Sequence, residues 1–311
     1  MDTSAAQQVA DLNARFGLGP ELIFREGPQG LIFVDVHNRL ASASLCLQGA
    51  HLMTWQPHAQ AEPVIWISET AQYAPRKSIR GGMPVCWPWF GPHPDGGKLP
   101  SHGFARTVDW QVSATDRLDG GETQISFLRL DDERTREEWP HAFAVKLQVL
   151  IGSQLRAELD TTNTGNSPFV LGEALHTYFR VGDIGEVQVL GLEGADFVDN
   201  ANSARRGRQV GAIRFSSEFD RVYLNTPSEC TVIDALLRRR IHITQLGARS
   251  VVVWNPWVEK ATKMGDLGPG AKRQGGWREM VCVESANALE NAVTLAPGAA
   301  HRMSVRYRVE S

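Results

Sequence analysis

Short runs in which apolar and polar residues alternate with a period of two dominate this chain, and they constrain its fold more than any other feature. In residues 144–163, for example, AVKLQVLI and QLRAELDTTN are separated only by Gly152 and Ser153. Successive side chains of a β-strand point to opposite faces, so each run predicts a strand with one buried face. Glycine, asparagine, aspartate or proline separates many of the runs, which favours an all-β fold, a large antiparallel β-sandwich or a barrel-like form of it. Strands are predicted, among others, at residues 31–36, 41–47, 51–56, 63–67, 110–114 and 124–130.

Helical periodicity is confined to two places. Val9, Leu12 and Phe16 recur at helical spacing within AAQQVADLNARF, which predicts one short amphipathic helix before the following glycines and proline. Residues 132–139, DERTREEW, carry charges at i to i+4 spacing that favour a second short helix on the surface. Because no linker, low-complexity tract or repeat interrupts the chain, we expect residues 1–311 to form one domain, with residues 1–25 as an N-terminal helical extension.

Composition and charge exclude several classes of protein. The 311 residues have a formal net charge of −3, and no basic stripe interleaved with aromatics would follow a nucleic-acid backbone. No apolar run approaches the roughly 18 residues of a membrane helix, and the N-terminus lacks the order of a signal peptide, so we expect a cytoplasmic protein that does not contact membranes. The four cysteines are far apart, which favours free buried thiols over a zinc site or a disulfide framework: Cys46, Cys86, Cys230 and Cys282.

Residues 78–106, SIRGGMPVCWPWFGPHPDGGKLPSHGFAR, have the composition of a binding loop. Six glycines allow backbone conformations that other residues resist, and five prolines forbid a long helix. The aromatic side chains offer flat faces that cover sugar rings, while Arg80 and Arg106 offer planar guanidinium groups that match carboxylate or phosphate. A phosphorylated sugar would satisfy both kinds of group. An ordinary loop that packs over a sheet is the alternative, and the composition alone does not decide between them.

Two titratable residues in apolar strand contexts are candidates for proton transfer. His176 lies in ALHTYF, and a histidine with an ordinary pKa of about 6.5 can exchange a proton near neutral pH. Glu284 follows the apolar run MVCV, and removal from water raises the pKa of a carboxyl group towards the range of a general base. The alternatives are a core histidine bonded to the backbone and a glutamate that faces solvent or caps a turn.

A histidine and a glutamate on neighbouring strands could open a cyclic hemiacetal. One group removes the proton of the anomeric hydroxyl and the other protonates the ring oxygen, which requires no cofactor; each positioned proton transfer contributes about 10² to 10⁴ in rate. Metal chemistry is not predicted, because the other histidines are scattered and no metal-ligand motif occurs. The chain also lacks a P-loop, a nucleophile elbow and a distinct second carboxylate for glycoside hydrolysis.

Six ordered motifs resemble the hexose-6-phosphate mutarotases of the galactose mutarotase-like superfamily. They extend over nearly the whole chain, from about Leu31 to Val309: SIRGGMPVCWPWFGPH, LPSHGFARTVDW, ALHTYFRV, FDRVY, VVVWNPW and MVCVESAN. The resemblance implies the supersandwich fold, which agrees with the strand pattern. It also implies glucose-6-phosphate 1-epimerase activity, the interconversion of α and β anomers, on a small-molecule hexose phosphate by a protein that we expect to be a monomer.

The same resemblance assigns roles to individual residues. His176 is similar to the general acid of the family and Glu284 to its general base. The substrate-binding residues that it implies are Arg80, Ser101, His102, Arg106 and Asp220. Ser101 stands where certain relatives have glutamine, which leaves the preferred hexose phosphate open.

Other residues have two interpretations. Trp87 and Trp277 either flank the sugar or pack in the core. Residues 263–276 form a glycine-rich segment in which Asp266 or Lys272 could approach the ligand, although a solvated loop is favoured. Two rival functions also remain at this point: a sugar-phosphate-binding or regulatory module without catalysis, and a mutarotase for neutral aldoses.

Overall fold

Antiparallel β-sheets form the body of the protein. The computed structural model describes residues 4–94, 96, 99–270 and 275–311. The strands of the first half are β1 (Leu22–Glu26), β2 (Ile32–His37), β3 (Ala41–Cys46), β4 (His51–Pro57), β5 (Val85–Cys86), β6 (Gln111–Arg117), β7 (Thr123–Leu130), β8 (Phe143–Ile151) and β9 (Gln154–Asn163). Those of the second half are β10 (Phe169–Leu171), β11 (Glu173–Leu175), β12 (Tyr178–Arg180), β13 (Val187–Leu190), β14 (Asp196–Asp199), β15 (Arg205–Arg208), β16 (Ile213–Arg214), β17 (Phe219–Leu224), β18 (Glu229–Asp234), β19 (Arg239–Leu246), β20 (Ser250–Asn255), β21 (Met280–Asn287), β22 (Val293–Leu295) and β23 (Ala300–Glu310). The helices are α1 (Ala5–Phe16), α2 (Glu133–Glu138) and α3 (Trp257–Met264).

The described strands group into two large sheets and two small ones. The nine-stranded sheet has the order β16-β13-β18-β19-β23-β9-β8-β7-β6. The eight-stranded sheet has the order β15-β14-β17-β20-β21-β11-β5, with β12 also paired to β21. Strands β1 to β4 form a meander, and β10 pairs with β22. Neighbouring strands run antiparallel, for instance β8 with β9 and β20 with β21, which confirms the predicted all-β antiparallel sandwich.

The core lies between the two large sheets. Val145 and Leu147 of β8 belong to the same buried cluster as Val253 of β20 and Val283 of β21. Because side chains alternate along each strand, the residues between these core positions point to the other face of the eight-stranded sheet. On that other face, Val252 and Ala286 belong to a second, smaller cluster that includes Phe90 of the loop. The candidate site is built on this second face.

The N-terminal region differs from the prediction at one end. Helix α1 covers the predicted amphipathic segment, begins where the Ser4 side chain accepts a hydrogen bond from the Gln7 N–H, and ends at Gly17. Residues 22–25, the last part of the predicted helical extension, instead belong to β1, which pairs with β2. Leu22 and Phe24 of this strand are buried in the main core, so the alternation was present but too short to stand out.

A second difference concerns residues 63–67, which were predicted as a strand. They make only isolated bridges, between Ile65 and Phe179 and between Ile67 and Gly81. Val64 and Ile65 are nevertheless buried. The apolar pattern therefore identified a core segment correctly, but the segment is not a strand of a sheet.

Candidate active site

One cavity of about 380 Å³ brings together all the residues that the sequence selected as a site. This volume falls within the range of about 300 to 1,000 Å³ that is usual for small-molecule sites. The seven predicted residues that line it come from the loop, from the segment after β11, from β17 and from β21: Arg80, Ser101, His102, Arg106, His176, Asp220 and Glu284.

A break in strand pairing positions His176 against Glu284. Strand β11 pairs with β21 up to Leu175 and Ser285, and β12 resumes the pairing at Tyr178 and Cys282. Between these ladders the His176 N–H donates to the Pro84 carbonyl, 2.9 Å away. Both side chains therefore project from the same face of the sheet, and His176 Nδ1 lies 3.3 Å from Glu284 Oε1.

The histidine and the glutamate are buried at the floor of the cavity. Their exposed fractions are 9% for His176 and 1% for Glu284. The contact between them lacks hydrogen-bond geometry, so His176 Nδ1 has no hydrogen-bond partner in the described part of the chain. The second carboxylate oxygen, Glu284 Oε2, is also buried without a partner there. The Tyr178 ring stacks on the imidazole at 4.9 Å and an interplanar angle of 6°, which fixes the plane of the ring.

Burial disfavours charge on both members of the pair. It raises the pKa of Glu284 well above the ordinary value, an effect to which the nearby Asp220 adds and which Arg106 opposes. It also lowers the pKa of His176 well below 6.5, and His102, Arg106 and Arg80 add to this effect. In the unliganded protein the pair accordingly favours a neutral imidazole beside a protonated carboxyl group.

The two arginines of the cavity differ in their partners. Arg80 donates from Nε to Asp266 Oδ2 at 3.0 Å and from Nη1 to the Tyr178 hydroxyl at 2.9 Å. Arg106 donates from Nη2 to the main-chain carbonyl of Ser101 at 2.8 Å, and within the described residues it forms no ion pair with a carboxylate. Arg106 therefore offers the less compensated positive charge to an anionic ligand.

His102 presents a fixed hydrogen-bond donor to the cavity. Its Nδ1 accepts from the Gly91 N–H at 3.3 Å. Burial lowers the pKa of His102 to about 3, and Arg106 and Arg80 contribute, so the ring is neutral at physiological pH. Since Nδ1 is the acceptor, the proton of the neutral imidazole is on Nε2, which can donate to a sugar hydroxyl.

Asp220 lies in a polar group that the sequence prediction found only in part. Burial raises its pKa, while the Asn200 side chain, which donates from Nδ2 to Asp220 Oδ1 at 3.0 Å, works in the opposite direction. Lys260 of α3 places Nζ 2.7 Å from Glu218 Oε1 and 3.8 Å from Asp220 Oδ2. Asn200 and Lys260 also line the cavity but were not predicted. The sequence did contain a signal for Lys260, because the segment WNPWVEK, which ends at this residue, places polar and titratable residues among tryptophans.

Comparison with known proteins agrees with this geometry. The family model described as aldose 1-epimerase matches residues 33–308, which include every cavity residue named above. The chain belongs to the aldose 1-epimerase family. The name refers to exchange at C1 of an aldose, so the ligand class of this family member is a small sugar.

Individual relatives support the same membership. The chain is 40% identical over 260 residues, 83% of each chain, to a Salmonella typhimurium protein named as a candidate glucose-6-phosphate 1-epimerase. It is similar to the crystal structure of a candidate mutarotase from the same organism, with 33% identity, a TM-score of 0.87, and coverage of 98% of this chain and 99% of the other. A galactose mutarotase-related enzyme from Lactobacillus acidophilus, at 16% identity, a TM-score of 0.69 and coverage of 89% and 97%, shows the shared fold.

The aromatic residues that line the cavity of this aldose 1-epimerase family member are not the two tryptophans that the sequence suggested. Trp87 is fully buried, packs 4.5 Å from the Phe143 ring and donates from Nε1 to Thr161 Oγ1, so it is a core residue. Trp277 packs 4.8 Å from Trp257 and does not line the cavity. Packing is thus the correct alternative for both. Trp254 of β20 and Phe90 line the cavity instead.

Within the described part of residues 263–276, Asp266 contacts the cavity residue Arg80. Asp266 holds the Arg80 guanidinium, and its main-chain carbonyl accepts a hydrogen bond from Ser68 Oγ at 2.7 Å. Asp266 itself does not line the cavity, and Lys272 lies outside the described residues. The favoured solvated loop is therefore wrong for Asp266, which is a partner of a site residue.

A larger cavity of about 900 Å³ lies between helix α1 and β6, which is an edge strand of the nine-stranded sheet. None of the seven predicted residues lines it. The smaller cavity is the candidate active site because it contains the buried titratable pair and the arginines. No helix in the described ranges is long and apolar enough to cross a membrane.

Proposed function

We propose that this protein interconverts the α and β anomers of a hexose 6-phosphate, with glucose 6-phosphate as the preferred substrate. The observation that carries the proposal is the distance of 3.3 Å between His176 Nδ1 and Glu284 Oε1 at the floor of a cavity with Arg106 on its wall. Relatives that share 37–40% of their residues with this chain are named as candidates for the same activity.

Ring opening uses the single proton that the pair holds. Glu284, as carboxylate, removes the proton of the anomeric hydroxyl while His176, as imidazolium, protonates the ring oxygen, and the bond between C1 and the ring oxygen breaks. Rotation about the bond between C1 and C2 exposes the other face of the aldehyde. The two residues then exchange roles as the ring closes, so the pair ends with one proton, as it began.

The unliganded pair favours the proton on Glu284, as described above. Transfer of this proton across 3.3 Å to His176 gives the ionised arrangement that begins ring opening. Arg106 stabilises the carboxylate form, and the substrate hydroxyls supply hydrogen bonds to it. The chemistry requires no metal or organic cofactor, and all residues with a proposed role belong to one chain, so the proposed active unit is a monomer of one domain.

Recognition is assigned to the loop and its neighbours. Arg106 and Arg80 hold the phosphate, and a charge-assisted contact suits this dianion. His102, Asp220 and the Ser101 region contact sugar hydroxyls, and Trp254 covers an apolar face of the ring.

Exchange NMR on glucose 6-phosphate labelled with ¹³C at C1 tests the proposal. The wild-type protein is expected to accelerate exchange between the two anomeric signals, and Glu284→Gln and His176→Asn are expected to remove the acceleration. Glu290→Gln, which changes an exposed glutamate paired with Arg206, is the matched control.

Each rival function predicts a different result. Tight binding of glucose 6-phosphate by the wild type without faster exchange would identify a binding or regulatory module. Equal efficiency with glucose and glucose 6-phosphate, unchanged by Arg106→Met, would identify a mutarotase for neutral sugars. If anomer exchange were as fast in Glu284→Gln and His176→Asn as in the wild type, the mechanism would be overturned.

A further inference from the structure

A cysteine that the proposed mechanism does not use lies directly beside the catalytic pair. Cys282 precedes Glu284 by two residues on β21, so both side chains point to the same face of the sheet. The two residues form a cluster with His176. Three atoms of this cluster lie within 4.8 Å of one another: an imidazole nitrogen of His176, the sulfur of Cys282 and a carboxylate oxygen of Glu284. All three residues are buried.

These three donor types are the ones that bind Zn²⁺ in proteins. Zinc takes thiolate sulfur at about 2.3 Å and imidazole nitrogen or carboxylate oxygen at about 2.0 to 2.2 Å, in a tetrahedral arrangement. Such an arrangement separates the ligand atoms by about 3.3 to 3.8 Å. His176 Nδ1 and Glu284 Oε1 already meet this requirement at 3.3 Å. A side-chain rotation that moves the Cys282 sulfur by about 1 Å would bring it into the same range.

Two of the three groups are also unsatisfied. His176 Nδ1 and Glu284 Oε2 are buried polar atoms without a hydrogen-bond partner among the residues described, and such atoms are costly unless a ligand pairs with them. His176 and Glu284 line the cavity, whereas Cys282 is fully buried and does not line it. A metal held by the three would therefore keep its fourth position open towards the cavity, where a water molecule or a sugar oxygen could bind.

We propose that the catalytic pair and Cys282 form an inhibitory site for Zn²⁺ or another thiophilic divalent cation. Binding deprotonates the Cys282 thiol and the Glu284 carboxyl group, and both protons pass to solvent. The bound cation occupies His176 Nδ1 and a Glu284 oxygen, so neither can transfer a proton to the sugar. Zinc and sugar phosphate consequently exclude each other. A hard cation such as Mg²⁺, which prefers oxygen ligands and octahedral geometry, does not fit this donor set.

Cobalt absorption tests the site without any measurement of catalysis. Titration of the wild-type protein with Co²⁺ is expected to give the thiolate-to-cobalt charge-transfer band at one equivalent of metal. Cys282→Ala is expected to lose the band. Cys86→Ala is the matched control, because Cys86 is also fully buried, belongs to the same face of the sheet and is not part of the cluster, so the band is retained.

Inhibition tests the consequence. Zn²⁺, but not Mg²⁺, is expected to slow anomer exchange of the wild type, and added glucose 6-phosphate is expected to relieve the inhibition. Cys282→Ala is expected to need at least about tenfold more Zn²⁺ for half-inhibition, the smaller end of the loss that follows even from removing an outer-shell partner. Each variant is compared with its own rate in the absence of metal. Cys282→Ser serves as a second variant if the alanine protein does not fold.

Clear results would overturn the inference. One is the absence of a charge-transfer band in the wild type; another is Zn²⁺ inhibition of equal strength in wild type and both Cys282 variants. The metal site does not depend on the proposed activity, because a cobalt band that needs Cys282 would stand even if the protein did not exchange anomers.

Discussion

The loop at residues 78–106 and the strand pair β11–β21 both contribute to one cavity, but they hold their side chains in different ways. Strand pairing fixes His176 and Glu284 on a buried sheet face, where the loss of water shifts both pKa values. The loop holds Arg106 and His102 in a partly exposed position through main-chain contacts such as the one from Arg106 to Ser101. Chemistry that depends on altered protonation thus lies on the rigid, dry element, and recognition of a hydrated anion lies on the loop.

At Gly103 the loop nevertheless packs closely against its neighbours. Gly103 has a φ of +70°, and an added Cβ would lie 1.9 Å from the Trp87 carbonyl oxygen. The backbones of Trp87 and Gly103 form a parallel bridge at this point. Only glycine permits this approach, between His102, which lines the cavity, and Phe104, which is buried in the core.

The strongest test of the comparison is Glu284→Gln. The variant is expected to lower kcat by about 10² to 10⁴, the usual contribution of a positioned proton transfer, with little change in KM. Steady-state anomer exchange at several concentrations of glucose 6-phosphate measures both constants, and Glu290→Gln is the control. A rise in KM at constant kcat would assign Glu284 to binding and remove the distinction between the two regions.

Arg106→Met is expected to have the opposite signature. Loss of charge-assisted hydrogen bonds of about 1.5 to 3 kcal/mol predicts a decrease in kcat/KM of about 10- to 100-fold for glucose 6-phosphate. The decrease should arise mainly from KM and should be absent with glucose, because glucose has no phosphate. Arg214→Met, at an exposed arginine of β16, is the control. An equal loss with both sugars would contradict a contact between Arg106 and phosphate.

Gly103→Ala tests whether the loop backbone, as well as its side chains, is needed for substrate binding. Strain and the clash with Trp87 are expected to destabilise the protein by about 1 to 3 kcal/mol and to raise KM with kcat largely retained. Gly298→Ala provides a matched control, because Gly298 has a φ of +75° but nothing within 4 Å of an added Cβ. Thermal unfolding and kinetics of both variants separate the clash from the cost of positive φ alone. Equal effects in the two variants would show that the close approach is unimportant.

The smallest expected effect is a shift in the pH profile, and it tests how the two regions interact. Burial raises the pKa of Glu284 and Arg106 opposes this rise, so Arg106→Met should raise the pKa further. Arg106 also lowers the pKa of His176, so both groups of the pair should take up protons at higher pH in the variant. The acid limb of kcat/KM, where the pair gains a second proton, should therefore move to higher pH. Profiles of wild type, Arg106→Met and Arg214→Met measure the shift. An unchanged limb, or one that moves to lower pH, would show that the loop does not tune the catalytic carboxyl group.

Much of the fold could be predicted because its cause is local. The alternation in residues 144–163 identified β8 and β9, and helical spacing identified α1. Residues 63–67 were assigned to a strand because an apolar run shows burial but does not show whether its backbone finds a partner. Leu22–Glu26 was missed since five residues are too few for the pattern to be distinguished from the helix that precedes it.

Motifs selected the candidate site residues, yet motifs do not contain distances. The sequence alone determined that this chain forms antiparallel sheets, that it carries two arginines in a glycine-rich loop, and that His176 and Glu284 have apolar neighbours. Only the tertiary structure decided that β11 and β21 pair in the register that brings His176 to 3.3 Å from Glu284, that Asp266 and not solvent holds Arg80, and that Trp254 rather than Trp87 faces the cavity. The physical reason is that alternation and composition are set by neighbours along the chain, whereas burial, pKa shifts and the cluster with Cys282 arise from strands that are more than one hundred residues apart in sequence.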